Sequence, residues 1–532
     1  MMAPLRILIF HGYLLRGTGS NVYNALLATA LARQGHEVHL LTQERHPEDV
    51  DAVGAAGDWD DGGVLRVREI RAGRRVTTYR PDVGAVLPVY VADRYEGVQA
   101  RTFAELADAQ IADYVARNVA AVAEVAALVA PDLALANHLV MGPLILARGL
   151  PESMPYAVKV HGSALEYAVK PQPERFLPAA REGLARASAV LVGSRHTAES
   201  LWAAMDDPAL PSRTRLGPPG VDVEVFRPRP RAQAAAELHA LGAALAQEAL
   251  AAPPAPGGGA AEPASAFTRD PGEAARALAR IDGEHDRLVA FVGKLIVSKG
   301  VDLLAAAWPL VLAQVPDAKL VVVGFGAYRA ALERLLAALA AGDLVAVRAL
   351  AAEGRAAEGG PHAPLVLLAA FLEDLEAAPD REAYLRAARA LPERVVLTGR
   401  LEHEELAPLL AASEAQVVPS TFPEAFGMVA VEAAAAGALP VVADHSGLGE
   451  VRAILAGAVP AGARAWLGFS PGPRAVRDLA DRLIAWMEAP EALREATREG
   501  LEAVARERFS WDEVARGVVA AALGQVAGLP EP

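Results

Sequence analysis

Short apolar segments alternate with amphipathic helical segments in two successive series, and this rhythm constrains the fold more than any other feature. The first series comprises ILIF at 7–10, EVHLLT at 37–42, LALAN at 133–137, YAVKVHG at 156–162 and AVLVGS at 189–194. The second comprises LVAFVGK at 288–294, LVVVG at 320–324, VVLTG at 395–399, AQVVPS at 415–420 and PVVAD at 440–444. Strands that alternate with helices form parallel sheets covered by helices. The sequence therefore predicts an α/β protein built from two such domains.

The two series are separated by a segment that follows neither pattern. Residues 251–266 read AAPPAPGGGAAEPASA, and a Pro/Gly/Ala-rich run of this kind is typical of a disordered insertion. The predicted organisation is a first domain over 1–225, a linker with the insertion over 226–285 and a second domain over 286–490 that carries a helical insertion at 327–394. C-terminal helices over 491–532 are expected to pack back on the first domain.

Composition excludes several classes of function. The chain has 532 residues, of which 53% are hydrophobic, so that each of two domains can bury a substantial core. A net charge of -14 argues against general nucleic-acid binding, which requires a basic face. The chain has no cysteine, which excludes disulfides, thiolate catalysis and cysteine metal sites. No apolar run has the length of a membrane span, and we expect a cytoplasmic protein.

One basic stretch stands out within this acidic chain. Between residues 66 and 80 it holds Arg66, Arg68, Arg71, Arg74, Arg75 and Arg80. A solvated loop and a patch for an anionic acceptor or a membrane surface are both compatible with this pattern. A peripheral contact with the inner face of a membrane therefore stays open.

The segment 419–450 carries the strongest chemical signal. A strand ending at Ser420 leads through a loop with Glu424 into a helix that contains Glu432. A helix N-terminus offers unpaired backbone N–H groups and a positive dipole end, which suit a phosphate or a sugar hydroxyl. Glutamate carboxylates accept hydrogen bonds from the paired hydroxyls of sugars and of ribose.

This segment, PEAFGMVAVEA, resembles the Glu–seven residues–Glu motif of the retaining glycosyltransferases of family 4. The resemblance implies a GT-B fold, in which two Rossmann-like domains face a central cleft and a C-terminal helix crosses back to the first domain. It also implies that Glu424 contacts hydroxyls of the transferred sugar and that Glu432 holds the ribose of the nucleotide. The groups that would lie against the sugar and the diphosphate are Phe426, Gly427, Met428 and Val429.

A second motif agrees with the first. FVGKLIVSKGVDLL resembles the strand-loop-helix segment that binds the donor diphosphate in this family, with Gly293 at the strand end and Lys294 and Lys299 as the basic pair. Two fixed cations stabilise the charge that a diphosphate gains as the glycosidic bond breaks. The family usually carries arginine where this chain has Lys294. Lysine is a point charge without the bidentate fork of arginine.

The N-terminal half contains weaker matches. Gly17 and Gly19 fall where the family has a glycine-rich loop before its first helix, and they would let the backbone approach donor phosphates or acceptor. His161 ends a strand, where open α/β sheets bind ligands, and in the family a histidine at this point lies beside the donor sugar. Asn137 and His138, at another strand end, are further candidates.

The resemblance implies transfer of a hexose-type sugar from a nucleotide-sugar donor, with retention of anomeric configuration. The acceptor stays open among lipid, small metabolite and glycan. No Asp-x-Asp box stands at a strand end, so that we expect no cofactor and no essential metal. A nucleotide-sugar epimerase of the same architecture, a glycoside hydrolase and a non-catalytic sugar-nucleotide-binding protein are the alternatives. The third glycine of a dinucleotide fingerprint and the P-loop lysine motif are both absent from the sequence.

Overall fold

The computed structural model describes residues 3–17, 19–60, 62–91, 98–251 and 269–532. The predicted disordered insertion at 251–266 lies, apart from Ala251, outside the described residues. The chain divides into a first unit, Met1–Gly220 with Phe509–Pro532, and a second unit, Val221–Arg508.

Strands appear in both units. In the first unit they are β1 (Arg6–Phe10), β2 (Glu37–Leu41), β3 (Val53–Trp59), β4 (Leu65–Glu69), β5 (Val76–Arg80), β6 (Val86–Val89), β7 (Gln99–Thr102), β8 (Leu133–Asn137), β9 (Tyr156–Val160), β10 (Ala189–Val192) and β11 (Thr214–Leu216). In the second unit they are β12 (Arg287–Val292), β13 (Ala318–Val323), β14 (Val395–Gly399), β15 (Ser413–Val418), β16 (Leu439–Ala443) and β17 (Gly468–Phe469). Each strand segment predicted from the sequence is present.

The helices connect these strands. The helices up to the boundary between the units are α1 (Gly19–Arg33), α2 (Asp108–Val129), α3 (Gly142–Gly149), α4 (Pro173–Ala185), α5 (Arg195–Met205) and α6 (Leu210–Arg213). They are followed by α7 (Arg231–Ala251), α8 (Pro271–Leu278), α9 (Val301–Gln314), α10 (Arg329–Ala341), α11 (Leu344–Glu353), α12 (Val366–Ala377), α13 (Arg381–Ala388), α14 (Leu391–Arg394), α15 (Leu406–Ala412), α16 (Met428–Ala436), α17 (Ser446–Ala458), α18 (Ala475–Glu488), α19 (Glu491–Phe509) and α20 (Trp511–Ala522). Among the described helices, none combines the length and the apolar character that a membrane crossing requires.

The main sheet of the first unit has the strand order β11-β10-β9-β8-β1-β2-β5-β3-β4. Its strands pair in parallel except for β3 with β4, and its central strands are buried apolar runs, as expected for a sheet covered on both faces. Helix α20 packs on α1, β8, β9 and β10 of this unit, with Trp511 in the buried core. The expectation that a C-terminal helix returns to the first domain is therefore confirmed.

The basic stretch at 66–80 is not a loop. It contains strands β4 and β5. Arg66 pairs with Asp60, which follows β3, at 3.1 Å, and Arg80 pairs with Asp58 of β3 at 2.8 Å. Strand pairing satisfies the backbone N–H and C=O groups of these strands, and the two carboxylates neutralise part of the positive charge of the stretch. In β4, Leu65 and Val67 alternate with arginines, which is a strand pattern, but the strand is almost wholly exposed and buries no apolar face.

The sheet of the second unit has the order β14-β13-β12-β15-β16-β17, with every neighbouring pair parallel. Counted along the chain this is the order 3-2-1-4-5-6 of dinucleotide-binding sheets. The connections reverse direction between β12 and β15. Such sheets bind ligands beyond the carboxyl ends of the two strands at this switch point.

The observed boundary between the units differs from the predicted linker at 226–285. Helix α7 falls inside that range but packs on α8 and α15 of the second unit, with Leu238 and Leu245 buried. Of the range 491–532 that was predicted to pack on the first domain, only Phe509–Pro532 belongs to the first unit. Helix α19 stays with the second unit, where Arg494 and Arg498 each bind Glu414 at 3.0 Å.

The stretch 327–394 is helical, as predicted, and holds α10 to α14. These helices do not simply extend from the surface. Helices α10, α12 and α13 pack on α9, which is apolar around almost its whole circumference and is buried accordingly. Tyr384 of α13 donates a hydrogen bond to Ala306 O in α9 at 3.0 Å, within the turn that Pro309 interrupts.

Candidate functional site

Two loops meet at the switch point of the second sheet. The loop 293–300, which we call the donor loop, follows β12, and the loop 419–427 follows β15. Gly300 joins the donor loop to α9 with φ of +67°, and a Cβ atom there would lie 2.0 Å from Pro419 O. Thr421 N donates to Ser298 O at 2.9 Å. The absence of a side chain at Gly300 therefore lets the two loops touch.

This contact brings two of the predicted site residues together. Lys299 Nζ donates to Glu424 Oε1, and both side chains are partly accessible, with 31% and 21% of their surfaces exposed. Ser420 Oγ donates to the same carboxylate oxygen at 2.6 Å. Burial favours protonation of Glu424, but the Lys299 charge and these hydrogen bonds lower its pKa below the ordinary 4.5. The site thus holds an ionised carboxylate beside a cation.

The loop that carries Glu424 is fixed from the end of the neighbouring strand β16. Glu424 N donates to Ser446 Oγ at 2.9 Å, and Gly447 N donates to Glu424 O at 3.0 Å. The His445 ring contacts Ser420 O at 2.7 Å through Nε2 and Ser446 Oγ at 3.1 Å through Nδ1. These contacts set the position of the Glu424 backbone independently of its side chain.

Helix α16 begins directly after this loop. Gly427 precedes it with φ of +113°, and a Cβ atom there would lie 2.3 Å from Leu448 Cδ2. Met428 and Val429 form the first turn and are half-buried, whereas Phe426 is buried. The first backbone N–H groups of this helix have no partner one turn earlier in the helix. The helix N-terminus adjoins the Lys299–Glu424 pair along the chain.

Glu432 lies deeper, in the second turn of α16. Only 2% of its side chain is exposed, and His403 Nε2 lies 2.8 Å from its Oε1. The His403 ring packs edge-on against Phe226, with centroids 5.0 Å apart. Burial disfavours protonation of His403, but the Glu432 charge and hydrogen bond outweigh it and raise the pKa of His403 above 6.5. The carboxylate has a fixed partner on one oxygen.

This pair makes the stability of the fold depend on pH. A histidine whose pKa is raised in the folded state stabilises the fold fully below its unfolded pKa of about 6.5, and this stabilisation is lost as the pH rises through the folded value. We expect His403→Gln to lower the melting temperature by a few degrees at pH 6 and by less at pH 9. Differential scanning calorimetry across this range measures the effect. A gap between wild type and variant that widens towards pH 9 would contradict the pairing.

Two further predicted residues of the second unit lie at the start of the donor loop. Gly293 follows β12 and its N–H donates to Val323 O at 3.1 Å, and Lys294 comes next and is half-buried. Two glycines after β13 make room for this loop. A Cβ atom at Gly324 would lie 1.9 Å from Gly293 O, and one at Gly326 would lie 2.2 Å from Leu295 O.

The N-terminal candidates belong to the first unit. Gly17 has φ of +90°, and Gly19 opens α1 with open space around an added Cβ atom. His161, which follows β9, has its Nε2 2.8 Å from Asn137 Oδ1. Asn137 Nδ2 donates to Asn24 Oδ1 at 2.8 Å. Because the Asn137 amide donates to Asn24, its oxygen accepts from Nε2–H of His161.

Histidine rings cluster at this end of the first sheet. The His138 ring lies 4.9 Å from that of His161 and 5.9 Å from that of His11. Burial, with smaller contributions from His138, Lys159 and His11, lowers the pKa of His161 well below its ordinary value. His161 is therefore neutral near pH 7, and its Nδ1 is the ring nitrogen that accepts hydrogen bonds.

Sequence reasoning missed several residues that shape the site. Ser420, which was predicted only as a strand end, and His445 and Ser446 hold Glu424. The signal for His445 and Ser446 was available, since a polar run at the end of β16, next to β15, points to the same sheet edge. His403 had no motif. Within the described ranges, no three His, Asp or Glu side chains gather in a way that could hold a metal ion.

Models of known families match both units. A model described as "Glycosyl transferase 4-like domain" matches residues 18–209, and two models described as "Glycosyl transferases group 1" match residues 286–352 and 375–502. The chain carries glycosyltransferase domains. It is also 34% identical over 134 residues to the glycogen synthase of two strains of Mycobacterium tuberculosis. That stretch is 25% of this chain and spans 30% of the length of these curated relatives.

Solved structures share the fold over almost the whole chain. Sucrose-phosphate synthase from Thermosynechococcus elongatus superposes with a TM-score of 0.54 at 19% identity, covering 98% of this chain and 99% of that one. Anabaena HepE in complex with UDP and glucose gives 0.53 at 17% identity, covering 98% and 100%. A trehalose-phosphate synthase from Burkholderia vietnamiensis gives 0.52 at 16% identity, covering 98% of each chain. The predicted GT-B fold class is confirmed.

Proposed function

We propose that this chain is a retaining, metal-independent glycosyltransferase of family 4 that transfers a hexose-type sugar from a nucleoside diphosphate sugar to a hydroxyl acceptor. The observation that carries the proposal is the Lys299–Glu424 pair at the switch point of a sheet with dinucleotide-binding order. A cation for a diphosphate and a carboxylate for sugar hydroxyls stand there side by side. The matched glycosyltransferase domains support the same reading.

The pair suggests how the donor is received. In the free protein, Lys299 and Glu424 neutralise each other. We infer that the donor diphosphate takes over Lys299, and that Glu424 then accepts hydrogen bonds from hydroxyls of the transferred sugar. As the glycosidic bond breaks, negative charge grows on the diphosphate, so that Lys299 and Lys294 stabilise the transition state more than the ground state. This charge supports a reaction that needs no metal.

The remaining donor contacts follow along α16. Backbone N–H groups at Gly427, Met428 and Val429 would bind phosphate or sugar oxygens at the helix N-terminus. We assign the ribose to Glu432. Its carboxylate accepts about four hydrogen bonds in total, so that acceptor capacity is left for a ribose diol beside the His403 contact.

The first unit is proposed to supply the acceptor side. Neutral His161, fixed by Asn137, offers Nδ1 to a hydroxyl of the acceptor. Gly19 at the start of α1 has open space around an added Cβ atom, and Gly17 shortly before it has φ of +90°. The acceptor class remains a lipid, a small metabolite or a glycan. A nucleotide-sugar donor is consistent with the UDP and glucose named in the HepE structure.

The proposal is tested by incubating the protein with UDP-, GDP- and ADP-sugars and a mixed acceptor panel, followed by mass spectrometry. We expect one nucleotide sugar to be consumed, with release of nucleoside diphosphate and transfer or slow hydrolysis of the sugar. NMR of the product then reports its anomeric configuration. A changed sugar still attached to nucleotide would indicate an epimerase, binding without turnover a non-catalytic protein, and cleavage of simple glycosides a hydrolase.

A further inference from the structure

The donor loop is held from one side by the helical insertion 327–394. Tyr328, the buried residue that opens the insertion, donates its backbone N–H to Leu295 O at 2.9 Å. Farther along the insertion, Glu358 Oε2 accepts a hydrogen bond from Val297 N at 2.7 Å. Both contacts reach the segment that directly precedes Lys299.

Glu358 is itself held in place. Its side chain is only 10% exposed, and Arg355 Nε donates to its other oxygen at 3.3 Å. The turn that carries it is closed by Arg355 N, which donates to Ala363 O at 2.9 Å. Gly354 permits this closure, since a Cβ atom there would lie 1.9 Å from Ala363 O. The carboxylate is therefore presented to the donor loop by a turn that these contacts close.

A third observation places the carboxylate near the start of α9. Asp302, in the first turn of α9, is 3% exposed. Burial raises the pKa of Asp302 to about 7, and the Glu358 charge contributes to the rise. Helix α9 is in turn covered by α10, α12 and α13 of the insertion. The insertion thus contacts both the donor loop and the helix that follows it.

We propose that the insertion supports the donor loop and that Glu358 is a positioning residue, which fixes Val297 so that Lys299 faces the donor diphosphate. The effect on binding rests on the proposed function, whereas the effect on the loop does not. A hydrogen bond to a charged acceptor makes a larger net contribution than one to a neutral acceptor. Without it, the contact from Tyr328 N to Leu295 O still joins the loop to the insertion, but Val297 N loses its acceptor.

Three substitutions at Glu358 separate the effect of its charge from the effect of its reach to Val297. Glu358→Gln keeps the length of the side chain and an acceptor oxygen, Glu358→Asp keeps the charge but shortens the reach, and Glu358→Ala removes both. Glu353→Ala is the matched control, because Glu353 lies on the same insertion in an exposed pair with Arg334. Melting temperatures establish that each variant is folded.

Hydrogen exchange of the free protein, followed by mass spectrometry of peptides covering 295–300, gives the first readout. We expect exchange about tenfold faster in Glu358→Ala and Glu358→Asp, a smaller change in Glu358→Gln, and none in Glu353→Ala. Titration with UDP, GDP and ADP gives the second readout. We expect the affinity for the nucleotide that binds to fall about tenfold in Glu358→Ala and Glu358→Asp, to fall less in Glu358→Gln, and to stay unchanged in Glu353→Ala. If Glu358→Gln behaves like Glu358→Ala while Glu358→Asp behaves like wild type, the charge of Glu358 and not its position controls both readouts. That result would contradict a positioning role.

Glu358→Ala with exchange and affinity both within twofold of wild type would overturn the proposal, and so would faster exchange without weaker binding. If the wild-type protein binds none of the three nucleotides, the proposed function fails. The exchange rates then decide by themselves whether Glu358 holds the loop.

Discussion

Replacing Lys299 by alanine is expected to lower kcat/KM for the active nucleotide sugar by about 10²–10³-fold. The lysine is the cation that the structure places against Glu424, and its loss removes charge stabilisation where the leaving diphosphate forms. The same change leaves Glu424 without its cation. Because burial by itself raises the pKa of Glu424, the acidic limb of the pH–rate profile should move to higher pH. Steady-state kinetics from pH 4 to pH 9 measure both effects.

Lys170→Ala is the control for this substitution. Lys170 forms an exposed pair with Glu166, one helical turn apart, and its loss should leave the kinetics unchanged. Lys299→Arg keeps the positive charge and should retain part of the rate. Near-normal turnover of Lys299→Ala, or a loss of rate without any shift of the acidic limb, would contradict the proposed role of Lys299.

Gly300→Ala is expected to have the largest effect on stability. Its Cβ atom would overlap Pro419 O at 2.0 Å, and its φ of +67° is strained for alanine. Strain and overlap together should lower the free energy of unfolding by about 2–4 kcal/mol. The donor loop and the loop after β15 must then separate, which parts Lys299 from Glu424. We expect nucleotide affinity to fall by more than tenfold as well. Chemical denaturation and calorimetric titration check the two effects.

Gly73→Ala isolates the strain from the overlap. Gly73 lies between β4 and β5 of the first unit and has φ of +79°, but nothing lies within 4 Å of an added Cβ atom, so that only the backbone penalty of about 1 kcal/mol applies. Nucleotide affinity should not change in this variant. If Gly300→Ala and Gly73→Ala cost the same, the close contact at Pro419 is not what joins the loops.

Much of the second unit could be predicted because its signals are local. Each strand segment is a short apolar run, and a parallel sheet brings the ends of such runs to one edge. Lys299 and Glu424 are 125 residues apart in sequence, yet each lies in the loop that follows a strand. Because β12 pairs with β15, these loops share one sheet edge, and the close contact at Gly300 brings them together.

Other features could not be predicted because they depend on contacts between distant segments. His403 meets Glu432 through a loop after β14 that carries no recognisable pattern. Gly324 and Gly326 fail the dinucleotide fingerprint, but packing requires them, since their missing side chains admit the donor loop. Helix α7 looked like part of a linker because its own pattern does not show that α8 and α15 cover it.

The central claim is that a nucleoside diphosphate binds where the donor loop meets the loop after β15. Hydrogen exchange of the full chain with and without saturating UDP, GDP or ADP tests it most directly. For one of the three nucleotides, the account predicts slower exchange in peptides covering 293–300 and 420–432. Unchanged exchange in both segments with all three nucleotides, or protection confined to other parts of the chain, would contradict it.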